Sequence, residues 1–284
     1  MMRRINSTMK DYSKIKELIQ EADAIIIGAG AGLSTSAGIN YGEKDFTKLF
    51  PELVEKYHMT DMYTSSFYEF KTEEERWSYW AKHINYLYNV EAKTVYKDLY
   101  NLVKDKNYFV ITTNVDGQFL KAGFQKNKVF EVQGSLSKIQ CSKACHNKLY
   151  DDLDLVNKML KEDHDCKIPK ALVPYCPNCG ETMEVNLRKD DYFVEDDHWH
   201  QLHKNYEDFI NKYKDKKLLL IELGVGFNTP GIIRFPFEEM TTKWKNTTLI
   251  RVNEKYLESF YDIKEKTILI KDDCKNFLTK LKEQ

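Results

Sequence analysis

The sequence predicts an α/β fold in which a doubly wound, mostly parallel sheet carries a smaller second domain. A β-branched run, residues 25–27, leads directly into the glycine-rich segment GAGAGLSTSAG. Further strand-like runs alternate with helical patterns, which favours parallel strands with helices on both faces. Between residues 140 and 187 this alternation gives way to a stretch rich in Cys, Lys and Asp, without a strong strand. We therefore expect a small domain inserted into the α/β domain.

The individual elements follow one another in the order that this fold requires. Ile15, Leu18 and Ile19 recur at helical spacing, so a helix over residues 11–21 precedes the first strand. An aromatic segment with helical periodicity predicts a helical module at residues 46–90. Later strands are predicted at residues 108–112, 129–132, 217–222, 248–252 and 267–270. The Rossmann-like domain then comprises residues 1–45, 91–139 and 188–284, and the small domain comprises residues 140–187.

Composition and charge exclude several classes of protein. With 284 residues, of which 42% are hydrophobic, the chain can bury a sizeable core. Lys and Arg number 43 against 44 Asp and Glu, so we expect no strongly basic surface for nucleic acid. The longest apolar run is far shorter than a membrane span, and no signal-like apolar core follows the N-terminal residues. These features predict a cytoplasmic protein without a nucleic-acid or membrane partner.

Glycine and polar residues follow three of the predicted strands at the point where each strand ends. The glycine-rich segment follows the first strand, Asn114 and Asp116 follow the second, and Gly224, Gly226 and Asn228 follow the fourth. Taken singly, a glycine turn is also a plain strand-to-helix connection, and Asn or Asp also caps helices. Because the carboxyl ends of parallel strands meet, we expect the three segments to lie together, where such sheets bind nucleotides.

Four of the six cysteines form two close pairs. Cys141 and Cys145 are separated by three residues, and Cys176 and Cys179 by two. Two such pairs supply the four thiolates of a tetrahedral zinc site, although four free thiols in a loop are the alternative. Since four sulfur ligands leave no open position for substrate, the pattern predicts a structural zinc ion.

Together these motifs resemble the sirtuin family, in order, from about Ala24 to Cys274. GAGAGLSTSAGIN resembles the family's NAD loop, TTNVD its Asn and Asp strand end, and VFEVQGSL the segment that holds its catalytic histidine. The two Cys pairs resemble its zinc ribbon, LGVGFNTP its later nucleotide loop, and RVNE its adenosine ribose site. The resemblance implies an enzyme that takes NAD as co-substrate and cleaves it at the nicotinamide bond.

The resemblance also assigns cofactor-binding residues by position. Asn114 and Asp116 would lie beside the nicotinamide and its ribose, and Asn253 and Glu254 beside the adenosine ribose. The residues expected to face the phosphates are Gly30, Ala31, Gly32, Ser34 and Thr35. The other expected cofactor-binding positions are Asn40, Tyr41, Gln133, Gly224, Val225, Gly226, Asn228 and Asp273.

Two positions depart from the family's pattern. After Ile39 the family usually continues with Pro, Phe and Arg, whereas this chain reads NYGE, so its cofactor loop is altered. Gln133 stands where deacylating sirtuins carry the catalytic histidine. That histidine acts as general base for a ribose hydroxyl, whereas glutamine has no titratable group near neutral pH.

The missing histidine changes the activity that the resemblance implies. Losing a general base typically slows a reaction by about 100-fold to 10,000-fold, so we expect negligible deacylation. Breaking the nicotinamide bond needs no such base, and an acceptor side chain can attack the ribose carbon directly. This combination resembles the macrodomain-linked bacterial sirtuins, which act as protein ADP-ribosyltransferases on a lipoylated glycine-cleavage-type carrier protein. The resemblance implies that acceptor here, with a macrodomain hydrolase as a further partner.

Arg188, in VNLRKDDYF, completes the expected catalytic set of Asn114, Asp116 and Gln133. By resemblance it lies at the approach to the substrate groove, where it would hold or polarise the acceptor. Alternatively, it forms a salt bridge with the acidic run that follows it. Two rival functions stay open. One is a weak deacylase in which a neighbouring group replaces histidine, and the other is a catalytically silent NAD sensor or scaffold.

Overall fold

The computed structural model describes residues 12–39, 43–259 and 261–283. The strands are β1 Ala24–Ala29, β2 Tyr108–Thr112, β3 Val129–Glu131, β4 Gly134–Cys141, β5 Tyr150–Asp151, β6 Met183–Leu187, β7 Leu218–Leu223, β8 Thr247–Val252 and β9 Thr267–Ile270. The helices are α1 Tyr12–Glu21, α2 Ala31–Ser36, α3 Glu43–Leu49, α4 Pro51–Tyr57, α5 Met62–Ser65, α6 Glu73–Asn89, α7 Thr94–Val103, α8 Gln118–Lys121, α9 Leu153–Glu162, α10 Asp197–Tyr213, α11 Arg234–Lys243 and α12 Cys274–Glu283.

β1 lies inside a six-stranded sheet with the order β3-β2-β1-β7-β8-β9. Every neighbouring pair in this sheet is parallel. The side chains of β1 alternate between two cores: Ile25 and Ile27 pack in the core that contains residues of α1, α7 and α12, and Ala24 and Ile26 in the core that contains residues of α10 and α11. Helices therefore cover both faces, and the doubly wound Rossmann-like fold predicted from the sequence is confirmed.

A second, three-stranded sheet has the order β5-β4-β6 and is antiparallel. The sequence predicts no strong strand between residues 140 and 187, and this expectation is wrong for β6. β6 shows no clear pattern in the sequence because its buried residues include the polar Glu184 and Asn186. β4 shows none because its register against β6 shifts between Ser135 and Ile139. Such a shift interrupts the alternation by which a half-buried strand is recognised.

Helix α9, from the predicted small domain, packs against α6, from the predicted helical module. The Nζ atom of Lys82 on α6 lies 2.6 Å from Oδ2 of Asp163, directly after α9. Val156 and Met159 of α9 are fully buried in the same core as the buried residues of α6. The two units therefore share a core, and the domain boundaries stay a prediction. Within the described ranges, no helix has the length and apolar character needed to cross a membrane.

Candidate active site

The loops that follow β1, β7 and β8 are joined by backbone hydrogen bonds at the carboxyl end of the parallel sheet. The Gly30 N–H donates to the Leu223 carbonyl over 3.0 Å, and the Gly32 N–H to the Gly224 carbonyl over 3.0 Å. The Gly224 N–H in turn donates to the Val252 carbonyl over 3.0 Å. The Thr113 N–H after β2 also donates to the Ala29 carbonyl over 3.1 Å. The three strand ends singled out in the sequence therefore meet, as expected for a parallel sheet.

Two glycines make this close approach possible. A Cβ atom added to Gly32 would lie 2.7 Å from the Cα atom of Gly224. Gly224 has a φ of +62°, and a Cβ atom there would lie 2.4 Å from the Leu33 nitrogen. Any side chain at either position would push the two loops apart, so packing requires glycine at both positions, and backbone conformation also favours it at Gly224.

A buried hydrogen-bonded cluster lies beneath this junction, where α2, α7 and the segment after β2 meet. The Ser34 hydroxyl donates to Oδ2 of Asp116 over 2.5 Å, and the Tyr96 hydroxyl lies 3.0 Å from the Ser34 hydroxyl and 3.4 Å from the same carboxyl oxygen. The Asn114 amide donates to the Tyr96 hydroxyl over 3.4 Å and to the Gly30 carbonyl over 3.1 Å. All four polar side chains are buried, and hydrogen bonds among them and to the Gly30 carbonyl orient them.

Asp116 and Glu131 are two carboxyl groups near this cluster, and Asp116 affects the protonation of Glu131. Burial raises the pKa of Asp116, and hydrogen bonds from Ser34, the Gln118 N–H and Tyr96 act against that rise. Burial and the nearby charge of Asp116 raise the pKa of Glu131 to about 8. With a pKa of about 8, Glu131 keeps its proton near neutral pH, whereas the hydrogen-bond donors that face Asp116 favour the ionised form of Asp116.

Gln133 lies in the turn between β3 and β4, one strand away from Asn114. Thr112 pairs with Glu131 across β2 and β3, so Asn114 and Gln133 each come two residues after a paired position. The Gln133 carbonyl accepts a hydrogen bond from the Arg188 N–H over 3.0 Å. The fold thus brings the expected catalytic positions to the carboxyl end of neighbouring strands.

Arg188 forms the salt bridge that the sequence analysis gave as its alternative role. Its guanidinium pairs with Glu195 of the acidic run and lies 4.5 Å from the ring centre of Phe193. The Arg188 side chain is 38% exposed, so it remains accessible from solvent next to Gln133. Arg188 can therefore form its ion pair with Glu195 and still be reached by an acceptor protein.

The expected adenosine end lies after β8. The Asn253 amide donates to the Val225 carbonyl over 2.9 Å, and its oxygen accepts from the Lys255 and Tyr256 N–H groups over 3.0 Å. Glu254 is exposed beside it. Asn253 therefore shapes the loop and ties it to the loop after β7.

The other expected cofactor residues lie at or near this end of the sheet. Thr35 donates its hydroxyl to the Ala31 carbonyl within α2, and Asp273 accepts the Asn276 N–H at the start of α12. The exposed members of the set are Ala31, Gly32, Thr35, Asn228 and Glu254. Asn40 and Tyr41 lie outside the described residues.

Sequence reasoning missed two residues of this region: Tyr96, a member of the cluster, and Glu131, whose pKa is raised by burial and by the nearby Asp116. Tyr96 lies on the buried face of α7 with Val95 and Leu99, where a tyrosine in a helical pattern is indistinguishable from an ordinary core residue. Glu131 gave a weak signal, because it is an acidic residue at the end of a buried strand, two positions before Gln133.

The four paired cysteines form one cluster in the small domain. Their sulfur atoms all lie within 4.8 Å of one another, with 3.6 Å between Cys141 and Cys179 and between Cys145 and Cys176. Zinc–sulfur bonds of about 2.3 Å at tetrahedral angles place sulfur atoms about 3.8 Å apart. The cluster therefore fits the structural zinc ion predicted from the sequence.

We expect Cys176→Ser to abolish zinc binding and to make the small domain sensitive to protease, because the metal joins β4 to the segment before β6. Metal analysis of the purified protein and limited proteolysis measure both effects. Cys274→Ser is the matched control, since Cys274 is a buried free cysteine on α12, outside the cluster. Full zinc content in Cys176→Ser would contradict a four-cysteine site.

Comparisons with known proteins agree with this geometry. A family model described as the Sir2 family matches residues 30–221. A Staphylococcus aureus (strain Mu50) protein named "Protein ADP-ribosyltransferase" is 37% identical over 273 residues, which cover 95% of this chain and 86% of that protein. A Fusarium oxysporum f. sp. cubense protein named "Probable bifunctional ADP-ribose hydrolase/ADP-ribosyltransferase" is 30% identical over 256 residues, which cover 84% of this chain and 41% of that protein.

Among solved structures, "Structure of Sir2Tm bound to a propionylated peptide" matches with a TM-score of 0.60, 19% identity, and coverage of 97% of this chain and 98% of that chain. At this identity the likeness concerns the fold.

Proposed function

The chain belongs to the Sir2 family, and from that premise we propose that it transfers ADP-ribose from NAD to a protein acceptor. The observation that carries the proposal is Gln133, in the turn between β3 and β4, where deacylating members have their catalytic histidine. A glutamine amide can orient a ribose hydroxyl but cannot take its proton. The similarity to a protein named ADP-ribosyltransferase supports the same activity.

We assign the binding of NAD to the joined loops at the carboxyl end of the sheet. Gly30, Ala31, Gly32 and Thr35 surround the phosphates, and Asn253 and Glu254 the adenosine ribose. The Ser34 hydroxyl is engaged by Asp116, which supports a role for Ser34 in holding that carboxylate. The remaining residues proposed to contact NAD are Asn114, Asp116, Gln133, Gly224, Val225, Gly226, Asn228 and Asp273.

Bound NAD supplies the ADP-ribosyl group through its bond to nicotinamide. As that bond breaks, its electron pair stays with the leaving nicotinamide, and positive charge develops at the ribose carbon. Asp116 lies in a buried cluster whose hydrogen-bond donors favour its ionised form, and a negative charge preorganised in this way stabilises the transition state. Asn114 and Gln133 orient the ribose. The acceptor atom then bonds to the ribose carbon and releases its proton to solvent.

Arg188 is proposed to hold the acceptor at the mouth of the site. Its backbone N–H is bonded to the Gln133 carbonyl, and its partly exposed guanidinium already pairs with the carboxylate of Glu195. An acceptor with an acidic surface would exchange with Glu195 at little cost, because exposed ion pairs contribute little free energy.

For the acceptor we propose a lipoylated carrier protein of the glycine-cleavage type, and for a partner a macrodomain hydrolase that reverses the modification. The resemblance to the macrodomain-linked sirtuins supports both. The name of the Fusarium relative also joins ADP-ribose hydrolase and ADP-ribosyltransferase activities in one polypeptide, of which this chain spans less than half.

Incubation with labelled NAD and the carrier protein tests the proposal. We expect label on the lipoylated carrier and little on the same carrier without lipoate, which is the matched control. Label on both forms would retain transfer and reject the lipoyl requirement. Efficient release of acetyl groups from peptides without labelled carrier would instead favour a deacylase. Tight NAD binding without nicotinamide release would favour a sensor.

A further inference from the structure

Four charged side chains are fully buried beneath the loops that follow β7 and β8. Glu222 lies on β7, Arg251 on β8, and Arg234 and Glu238 on α11, and each is 0% exposed. Arg251 pairs with both carboxyl oxygens of Glu222, over 2.7 Å and 2.8 Å, and with Glu238 over 2.8 Å. Arg234 lies 3.4 Å from Glu222. The two positive and two negative charges balance.

Arg234 connects this cluster to both loops. Its guanidinium donates to the Val225 carbonyl over 3.4 Å in the loop after β7, and to the Tyr256 carbonyl over 3.2 Å in the loop after β8. It also donates to the Glu258 carbonyl. The guanidinium carbon lies 4.2 Å from the ring centre of Phe227. One side chain thus holds backbone groups from two separate loops.

The same two loops carry the residues proposed to contact the adenosine end of NAD. The Val225 carbonyl that accepts from Arg234 also accepts from the Asn253 amide over 2.9 Å. Asn253 in turn accepts from the Tyr256 N–H, and the Tyr256 ring packs edge-on against Phe227 at 5.4 Å. Removing the Arg234 guanidinium would therefore shift Asn253.

A gain in folding stability does not by itself explain why these four charged side chains are buried. Removing charged groups from water costs free energy, and apolar side chains of similar volume often fill such a position equally well. A guanidinium, however, offers several N–H donors in a fixed planar arrangement, which neither lysine nor an apolar residue supplies. The structural feature that requires arginine here is the set of three carbonyl groups from the two loops.

We propose that Arg234 is a positioning residue for NAD, which acts by fixing the loops after β7 and β8 so that Asn253 and Glu254 face the adenosine ribose. This inference rests on the proposed function, because it takes these loops as the adenosine site. Arg234 itself is buried and does not touch the substrate. Its loss should weaken binding of the adenosine end and leave the chemistry at the nicotinamide end nearly intact.

The test uses a charge-balanced double variant, Arg234→Met with Glu238→Gln, which keeps the Arg251–Glu222 pair. The matched control is Lys243→Met with Glu239→Gln, an exposed ion pair with the same spacing on the same helix. We expect the Kd for ADP-ribose, measured by calorimetry, to rise about 10-fold to 100-fold in the buried variant and not in the control. At saturating NAD, kcat should stay within about 3-fold of the wild type, because binding of the adenosine end is lost equally in the ground state and in the transition state.

A second variant, Arg234→Lys, keeps the charge but not the planar set of donors. It should raise the Kd for ADP-ribose in the same direction while the melting temperature stays near that of the wild type. Wild-type affinity in both variants would overturn the proposal. A fall in affinity and kcat that matches the fraction of unfolded protein would also overturn the proposal, because Arg234 would then only stabilise the fold. Binding of ADP-ribose needs no acceptor protein. If no ADP-ribose were transferred while the binding results held, the proposed function would be contradicted and the role of Arg234 would not.

Discussion

Replacement of Asn114 with alanine is expected to slow nicotinamide release from NAD by about 100-fold to 1,000-fold, the usual effect of removing one preorganised hydrogen-bonding group. The Asn114 amide is buried and held by the Gly30 carbonyl and the Tyr96 hydroxyl, so it is oriented before substrate binds. Alanine would also leave those partners without their donor. Steady-state release of nicotinamide, measured with saturating acceptor, gives the size of the effect.

Asn107→Ala is the matched control, because Asn107 directly precedes β2 and is exposed at the opposite end of the strand. Its amide donates only a peripheral bond to the Asp23 carbonyl over 3.0 Å. The control should release nicotinamide at the wild-type rate. If Asn114→Ala kept most of its activity, the cluster around Asp116 would not be the catalytic centre.

Replacement of Gln133 with histidine is expected to raise deacylation of an acetylated peptide by about 100-fold or more, because an imidazole can accept the ribose proton that glutamine cannot. The position suits this exchange, since Gln133 is half-buried in a turn whose backbone is fixed by the Arg188 N–H. Release of acetyl groups, followed by mass spectrometry of the peptide, measures the gain.

Gln125→His provides the control, because Gln125 is exposed in the loop before β3. It should leave deacylation at the wild-type level. Rapid deacylation by the wild-type protein would contradict the proposal, since it would show that another group already replaces the histidine.

Much of the parallel sheet could be predicted because its strands are buried on both faces. β2 and β9 coincide with the ranges predicted from the sequence, and the predicted strands at β3, β7 and β8 differ by at most one residue at an end. β4 and β6 escaped prediction for the opposite reason. β4 is irregularly paired and only partly buried, and the buried residues of β6 include the polar Glu184 and Asn186.

The candidate site could be predicted only where its residues follow strand ends. Asn114 and Asp116 directly follow β2, so the sheet itself brings them to the nucleotide edge. Tyr96 and Arg234 lie on helices and reach the site through tertiary packing. No local pattern distinguishes a buried tyrosine or arginine with such a role from one that only fills the core.

The most direct test of the central claim is the mass balance of one reaction that contains NAD, lipoylated carrier and acetylated peptide. The amounts of free nicotinamide, ADP-ribosylated carrier and deacetylated peptide are measured together over time. A transferase with Gln133 in place of histidine should produce nicotinamide and ADP-ribosylated carrier in equal amounts, with the peptide unchanged. Nicotinamide formed in step with deacetylated peptide, and an unmodified carrier, would contradict the account.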